Sequence, residues 1–293
     1  MIKRFVHSKV ALIIVSGIAL AVPAISLFDS KQYFLNPHAF GPLLASYFVG
    51  TLGIFTVSRK LDKEDRYYFF FVTLSISFWL WTLALGEFCR FGHDSLAIRW
   101  FRLGSCGPIL IPIHIYAFSA NFLGLNRRKM LICGYALAAL FISLSFFTSF
   151  FLVGVYYYAP WGYFPKWVFA RTIPYFAYFL TYMGLAQAEY LRAYKQVKYQ
   201  RIRNQIKYLF AAFSISYLGA VDFLPTFGYH VYPFGYITIL GWWTVLAYAI
   251  QKHRLMDITV RLMPGPVSLI EAVTQLESSL PLSDSSRARP RDE

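Results

Sequence analysis

Met130–Leu152 (MLICGYALAALFISLSFFTSFFL) contains no charged side chain, and Arg127, Arg128 and Lys129 stand directly before it. A bilayer core takes about 20 apolar residues per helical crossing. The stretch is therefore read as a transmembrane helix, and the basic triplet at its start marks the end held in the cytoplasm, because short inner loops retain Lys and Arg.

Working outward in both directions, the same pattern recurs. Val10–Phe28, Phe40–Ser58, Tyr67–Phe88, Leu103–Gly124, Trp167–Tyr190, Ile206–Phe227 and Val231–Ile250 are comparable apolar runs, giving eight expected spans. The weakest boundary is the last, where only Gly228, Tyr229 and His230 separate two runs. Val10–Phe28 follows Lys3, Arg4 and Lys9 as a signal peptide would. It is too long and lacks a convincing small-residue cleavage site, so it is expected to be a retained helix. The expected fold class is all-α: a polytopic membrane helix bundle over 1–258, a short cytoplasmic linker with an amphipathic helix over 259–282, and a disordered tail over 283–293.

Charge orients the spans. With the N-terminus inside, 22 of the 28 Lys and Arg residues fall on cytoplasmic segments and six on the outer side. That alternation places both termini in the cytoplasm. The composition agrees: 57% of residues are hydrophobic and only 14% charged, against roughly 25% charged in a soluble domain. The net charge of +14 is thus a topology signal. The basic loop Leu191–Lys207 supplies no folded platform for RNA, so nucleic acid is not an expected partner, and the bilayer is. Cys89, Cys106 and Cys133 form neither a CxxC pair nor a Cys/His cluster, which indicates no disulfide framework and no metal site. No motif implies a cofactor.

The aromatic excess is sharpest at Val155–Trp167 (VYYYAPWGYFPKW), expected to be a non-helical outer loop. It reads either as an interfacial belt, where rings sit in acyl chains and their polar atoms stay wet, or as a lid over an outward-facing pocket.

Ionisable groups inside spans are costly and mark function or compensating pairs. Glu87, Arg99, Arg102, Arg171 and Asp222 all fall at similar depth in the outer leaflet, drawn from four spans. Asp222, in AVDFL, has no local partner. One reading pairs Glu87 and Asp222 with Arg102 and Arg171 as structural ion pairs. The other makes these residues a polar pocket for an external or membrane-dissolved ligand. His114 lies near mid-span beside Pro112 and reads as hydrogen-bonded packing or as a further sensing residue. Pro108 and Pro112, with Gly104 and Gly107, predict a kink in that helix. Gly50 and Gly53 read as close-packing positions.

Arg201–Leu209 (RIRNQIKYL), Gly219–Gly228 (GAVDFLPTFG), Tyr232–Gly235 (YPFG) and Tyr248–Ile258 (YAIQKHRLMDI) follow one another in an order that resembles the N-terminal seven-transmembrane sensor region of bacterial histidine kinases. The segment from Pro160 to Lys166 (PWGYFPK), Glu87, Arg99–Arg102 and Pro112-Ile113-His114 look like the same pattern. The resemblance runs to about Ile258. It implies a sensory input that passes a signal to a cytoplasmic kinase or other signalling protein, with Arg254 and Asp257 at the output end. It implies no enzymatic activity for this chain, which carries no phosphoacceptor His in a dimerisation helix and no ATP-binding box. An unknown small ligand and a second copy, as a homodimer, are the other expected partners. The alternatives are a small-solute transporter or channel, or a truncated sensor kinase without output.

Overall fold

In the computed structural model, residues 31–58, 63–159 and 161–253 are described. The chain forms helices α1 (Phe40–Ser58), α2 (Lys63–Glu87), α3 (Asp94–Gly104), α4 (Cys106–Phe122) and α5 (Arg128–Phe147). A two-stranded antiparallel sheet follows, β1 (Leu152–Tyr158) and β2 (Gly162–Trp167). Then come α6 (Phe169–Gln196), α7 (Gln200–Tyr217), the short α8 (Phe223–Thr226) and α9 (Gly235–His253). The first expected span, Val10–Phe28, and the segments beyond 253, with Arg254, Asp257, the amphipathic linker and the tail, lie outside the described residues.

Among the described residues, five helical stretches are long and apolar enough to cross a membrane: Pro37–Ser58, Arg66–Glu87, Asp94–Phe122, Arg128–Phe147 and Gln200–Thr226. Gly235–Ile250 is apolar but shorter. The chain is a helical bundle of membrane-protein character, and the hairpin is its one departure from helix among the described elements. That hairpin corrects the expected span Met130–Leu152. The helix stops at Phe147, and the loop expected over Val155–Trp167 is β structure that already begins at Leu152. Successive β-branched and aromatic residues (VGVYYY, GYF) favour the pleated form once the chain leaves the helix.

Packing closes a ring. Neighbouring pairs run α1–α2, α2–α4, α4–α6, α6–α7, α7–α9 and α9–α1. α5 lies outside the ring against α4, with most of its surface free for lipid. At the centre, Phe69 of α2, Phe118 of α4, Phe213 of α7 and Trp242 of α9 are fully buried. Their ring centroids are 5.5–6.3 Å apart around the four. This is the spacing at which edge and offset aromatic contacts are favourable. Four helices are thus tied together by one apolar knot.

Small residues set the closest approaches. A Cβ on Gly53 would strike Thr73, and one on Gly107 would meet the Ser75 carbonyl at 2.8 Å. The first glycine holds α1 against α2, and the second holds α4 against α2. The span expected over Leu103–Gly124 divides between two helices that meet at Ser105, which itself keeps helical dihedrals of φ −61° and ψ −20°. The span expected over Ile206–Phe227 is also irregular. α7 ends at Tyr217, a 3-10 turn covers Leu218–Asp222, and α8 adds one more turn. The last helix begins at Gly235 rather than Val231, after a turn in which Gly228 has φ +91°.

Candidate functional site

Glu87 ends α2, and Asp222 ends the 3-10 turn after α7. They are 1% and 5% exposed, so both carboxylates are effectively withdrawn from solvent. The two interact electrostatically with each other. Among the described residues neither has a Lys, Arg or His within ion-pair distance; the only salt bridges lie elsewhere, at Glu189. The structural reading in which Arg102 and Arg171 neutralise these acids is therefore not what the bundle forms.

Asp222 uses its two oxygens unequally. Oδ1 accepts the Gly235 backbone N–H at 2.7 Å, at the first residue of α9. Oδ2 is buried and has no hydrogen-bond partner. Glycine at 235 is required for this contact, because a Cβ there would run into the Asp222 carboxylate. A phenol chain borders the acids: Tyr232 Oη is 3.4 Å from Tyr236 Oη and 3.4 Å from His38 Nδ1. Burial first, then the Tyr236 hydroxyl and the charges of Glu87 and Asp222, hold the Tyr232 phenol above its usual range. Tyr232 thus belongs to the same electrostatic neighbourhood as the two acids.

The hairpin closes this end of the bundle. Asn36 Nδ2 donates both to the Glu87 carbonyl at 3.0 Å and to the Trp161 carbonyl at 2.8 Å, joining α2 to the β-turn. Trp161 packs edge-on against Tyr232 with centroids 5.7 Å apart. Its indole Nε1 is buried without a partner. Gly162 has φ +96°, and a Cβ there would meet Asn36 Nδ2 and the Glu87 carbonyl at 3.0 Å, so glycine serves both the turn and the close approach. On one side Tyr158 Oη donates to the Pro225 carbonyl at 2.8 Å. On the other, Tyr163 Oη donates to Asp94 and accepts the Gly92 N–H. Burial, followed by the bond to Asp94, pushes the Tyr163 phenol up to about 12. The hairpin tip is thus fixed against the Glu87 end of α2 and the segment around Pro225.

No protein-family model, curated protein or solved structure matches this chain. Function is therefore read from the side chains themselves.

The remaining residues singled out in the sequence do not join the acids. Arg99 is exposed on α3, and Arg102 is half-buried with its Nε buried and unpartnered. Arg171 is exposed, donating to the Ser149 carbonyl at 3.3 Å and lying over the Phe150 ring. His114 is buried deeper in the bundle, where Nδ1 is 2.8 Å from Ser75 Oγ and the ring packs on Phe71 and Tyr135. This is the hydrogen-bonded packing role. Among the described residues no group of three or more His, Cys, Asp or Glu side chains converges as a metal site.

Sequence reasoning missed four contributors: Asn36, His38, Tyr232 and Tyr236. Their signal was weak, since Asn-Pro-His reads as an ordinary helix cap and Tyr232 and Tyr236 as interfacial aromatics. It also missed Glu189, which is 6% exposed and bound by Arg127 at 2.6 Å and Arg192 at 3.4 Å. Glu189 and Arg127 sit at the end of the bundle opposite the hairpin, where α5 begins and α6 approaches its end.

Proposed function

We propose that this chain is a sensory input module of the bacterial inner membrane, of the kind that precedes histidine kinases, with eight spans and both termini in the cytoplasm. Its stimulus acts from the outer side, or from the membrane, on the covered polar cluster around Glu87 and Asp222. The signal passes to a cytoplasmic kinase or other signalling partner. No catalytic step is assigned to the chain.

The observation that carries this reading is the position of Asp222. An acid with one oxygen unpartnered is bonded through the other to the first residue of α9. α9 is the last described helix and leads toward Arg254 and Asp257. A ligand that changes the state of this carboxylate has a direct purchase on the helix that enters the cytoplasm. Signalling requires two conformations with different affinity for the stimulus, and a capping contact that can be made or released is such an element. The positive-inside distribution of Lys and Arg supports the orientation.

The test compares cells carrying wild-type chain, Asp222→Asn, or a deletion, with the amount of folded protein in the membrane matched by quantitative blotting. The expected outcome is that Asp222→Asn reproduces the transcriptional change caused by deletion while membrane levels stay near wild type. Parallel loss of protein and response would return Asp222 to a structural role. Solute uptake by liposomes containing this chain alone would favour transport instead.

A further inference from the structure

We propose that Glu87 and Asp222, with the phenols of Tyr232 and Tyr236, form a binding site for a hard metal cation beneath the β-hairpin. The inference rests on the sensory reading and names the ligand class of the same site.

Charge is the first reason. The Glu87 and Asp222 carboxylates are both buried, Asp222 against the Gly235 backbone and Glu87 at the end of α2 that Asn36 ties to Trp161, and among the described residues no Lys, Arg or His side chain pairs with either. Like charges withdrawn from water are strongly unfavourable unless a positive partner accompanies them. The orphaned oxygen is the second reason. Asp222 is held in one orientation by the Gly235 N–H on Oδ1, which leaves Oδ2 presented with nothing to accept from. Buried acceptors in native proteins are nearly always satisfied, and a cation on Oδ2 would satisfy this one.

The donor chemistry chooses the class. Carboxylate and phenol oxygens suit Na+ or Ca2+, whereas zinc and copper sites draw on imidazole and thiolate. The phenols of Tyr232 and Tyr236 stand 3.4 Å apart beside the acids, and His38 Nδ1 lies 3.4 Å behind Tyr232 Oη, where it can orient that hydroxyl. Only two acids converge, so water or backbone carbonyls would complete the shell. Such a sparse set suits a cation present at millimolar levels outside the cell rather than a trace metal. Binding would draw α2, the turn before α8 and the start of α9 together under Trp161, which is the coupling a sensor needs.

The test follows thermal unfolding of the full chain in lipid nanodiscs at constant ionic strength, with CaCl2 or NaCl replacing choline chloride. One of these cations is expected to raise the unfolding midpoint by about 5 °C at roughly a hundredfold excess over its Kd. In Asp222→Asn and Glu87→Gln the rise should vanish, while the midpoint in choline chloride equals or exceeds that of wild type, because each change removes one of two repelling charges. A wild-type midpoint indifferent to both cations overturns the proposal and leaves a proton as the charge that the acids share. A rise that survives in both variants overturns it as well, since the cation then binds elsewhere.

If neither acid variant can be isolated folded, Tyr232→Phe decides, because it keeps both charges. About tenfold weaker cation affinity is expected, and unchanged affinity counts against the site. The two levels of inference separate cleanly. A cation that binds as described, with normal cellular responses in Asp222→Asn, leaves the site standing and removes the sensory reading. A lost response with no cation effect does the reverse.

Discussion

At one end of the bundle Glu189 lies between Arg127 and Arg192; at the other, Asp222 and Glu87 are buried with no basic side chain among the described residues within ion-pair distance. All three acids are buried to a similar degree. Glu189 is matched within the fold, so its charge ties the start of α5 to α6 and is complete without any ligand. The acids under the hairpin have no such match among the described residues, although Arg102 is half-buried on α3. Equal burial therefore does not mean equal role. A carboxylate whose counter-charge is built in serves the fold, and one whose counter-charge must arrive from outside is suited to report an arrival.

The contrast can be broken most severely at Gly235. Gly235→Ala places a methyl group against the Asp222 carboxylate and forces the 3-10 turn and α9 apart. Overpacking of this kind costs about 3 kcal/mol, so a clear drop in the unfolding midpoint is expected, together with loss of cation sensitivity. A variant as stable and as responsive as wild type would show that the Asp222–Gly235 contact does not matter.

Neutralising one acid at each end sharpens the contrast more directly. Glu189→Gln should destabilise by about 1–2 kcal/mol, at the low end for buried pairs because both arginines remain partly solvated. Asp222→Asn should cost nothing in cation-free buffer. Comparable losses from the two changes would erase the distinction drawn between the ends.

The smallest effect concerns the cover. Tyr163 has its phenol pushed up from 10.0 to about 12, by burial and by its bond to Asp94. A raised folded value means that the contribution of Tyr163 is fully present below pH 10 and declines as pH rises toward 12. Tyr163→Phe should therefore flatten the alkaline loss of stability over that interval, measured as the difference in midpoint between variant and wild type. An unchanged pH profile would show that the hairpin is not anchored through Asp94.

The helices were legible because a membrane imposes a crude and strong rule on sequence. Phe40–Ser58 matches α1 to the residue, and the run Tyr67–Phe88 lies almost wholly within α2. The hairpin was legible only as a non-helical segment over Val155–Trp167; its start at Leu152 was hidden because FTSFFL continues the apolar composition of α5 past Phe147, and composition alone does not distinguish the end of a helix from the start of a strand. Asp222 and Glu87 stood out as acids stranded in apolar surroundings. Their natural partners on paper were the arginines at the same depth, since depth is all that a span assignment supplies. Which way Arg102 and Arg171 point depends on helix rotation and on neighbours, as does the approach of Tyr232 from a loop.

Sequence by itself determined that this is a helical membrane protein, where most helices lie, and which few charges need explaining, because each follows from the transfer cost of residues taken one stretch at a time. Only the tertiary structure decided that Glu189 is neutralised while Glu87 and Asp222 are paired with no base among the described residues, and that a β-hairpin packs over that end. Those outcomes turn on distances between residues such as Asn36, Glu87 and Trp161, far apart in the chain, which packing alone brings together.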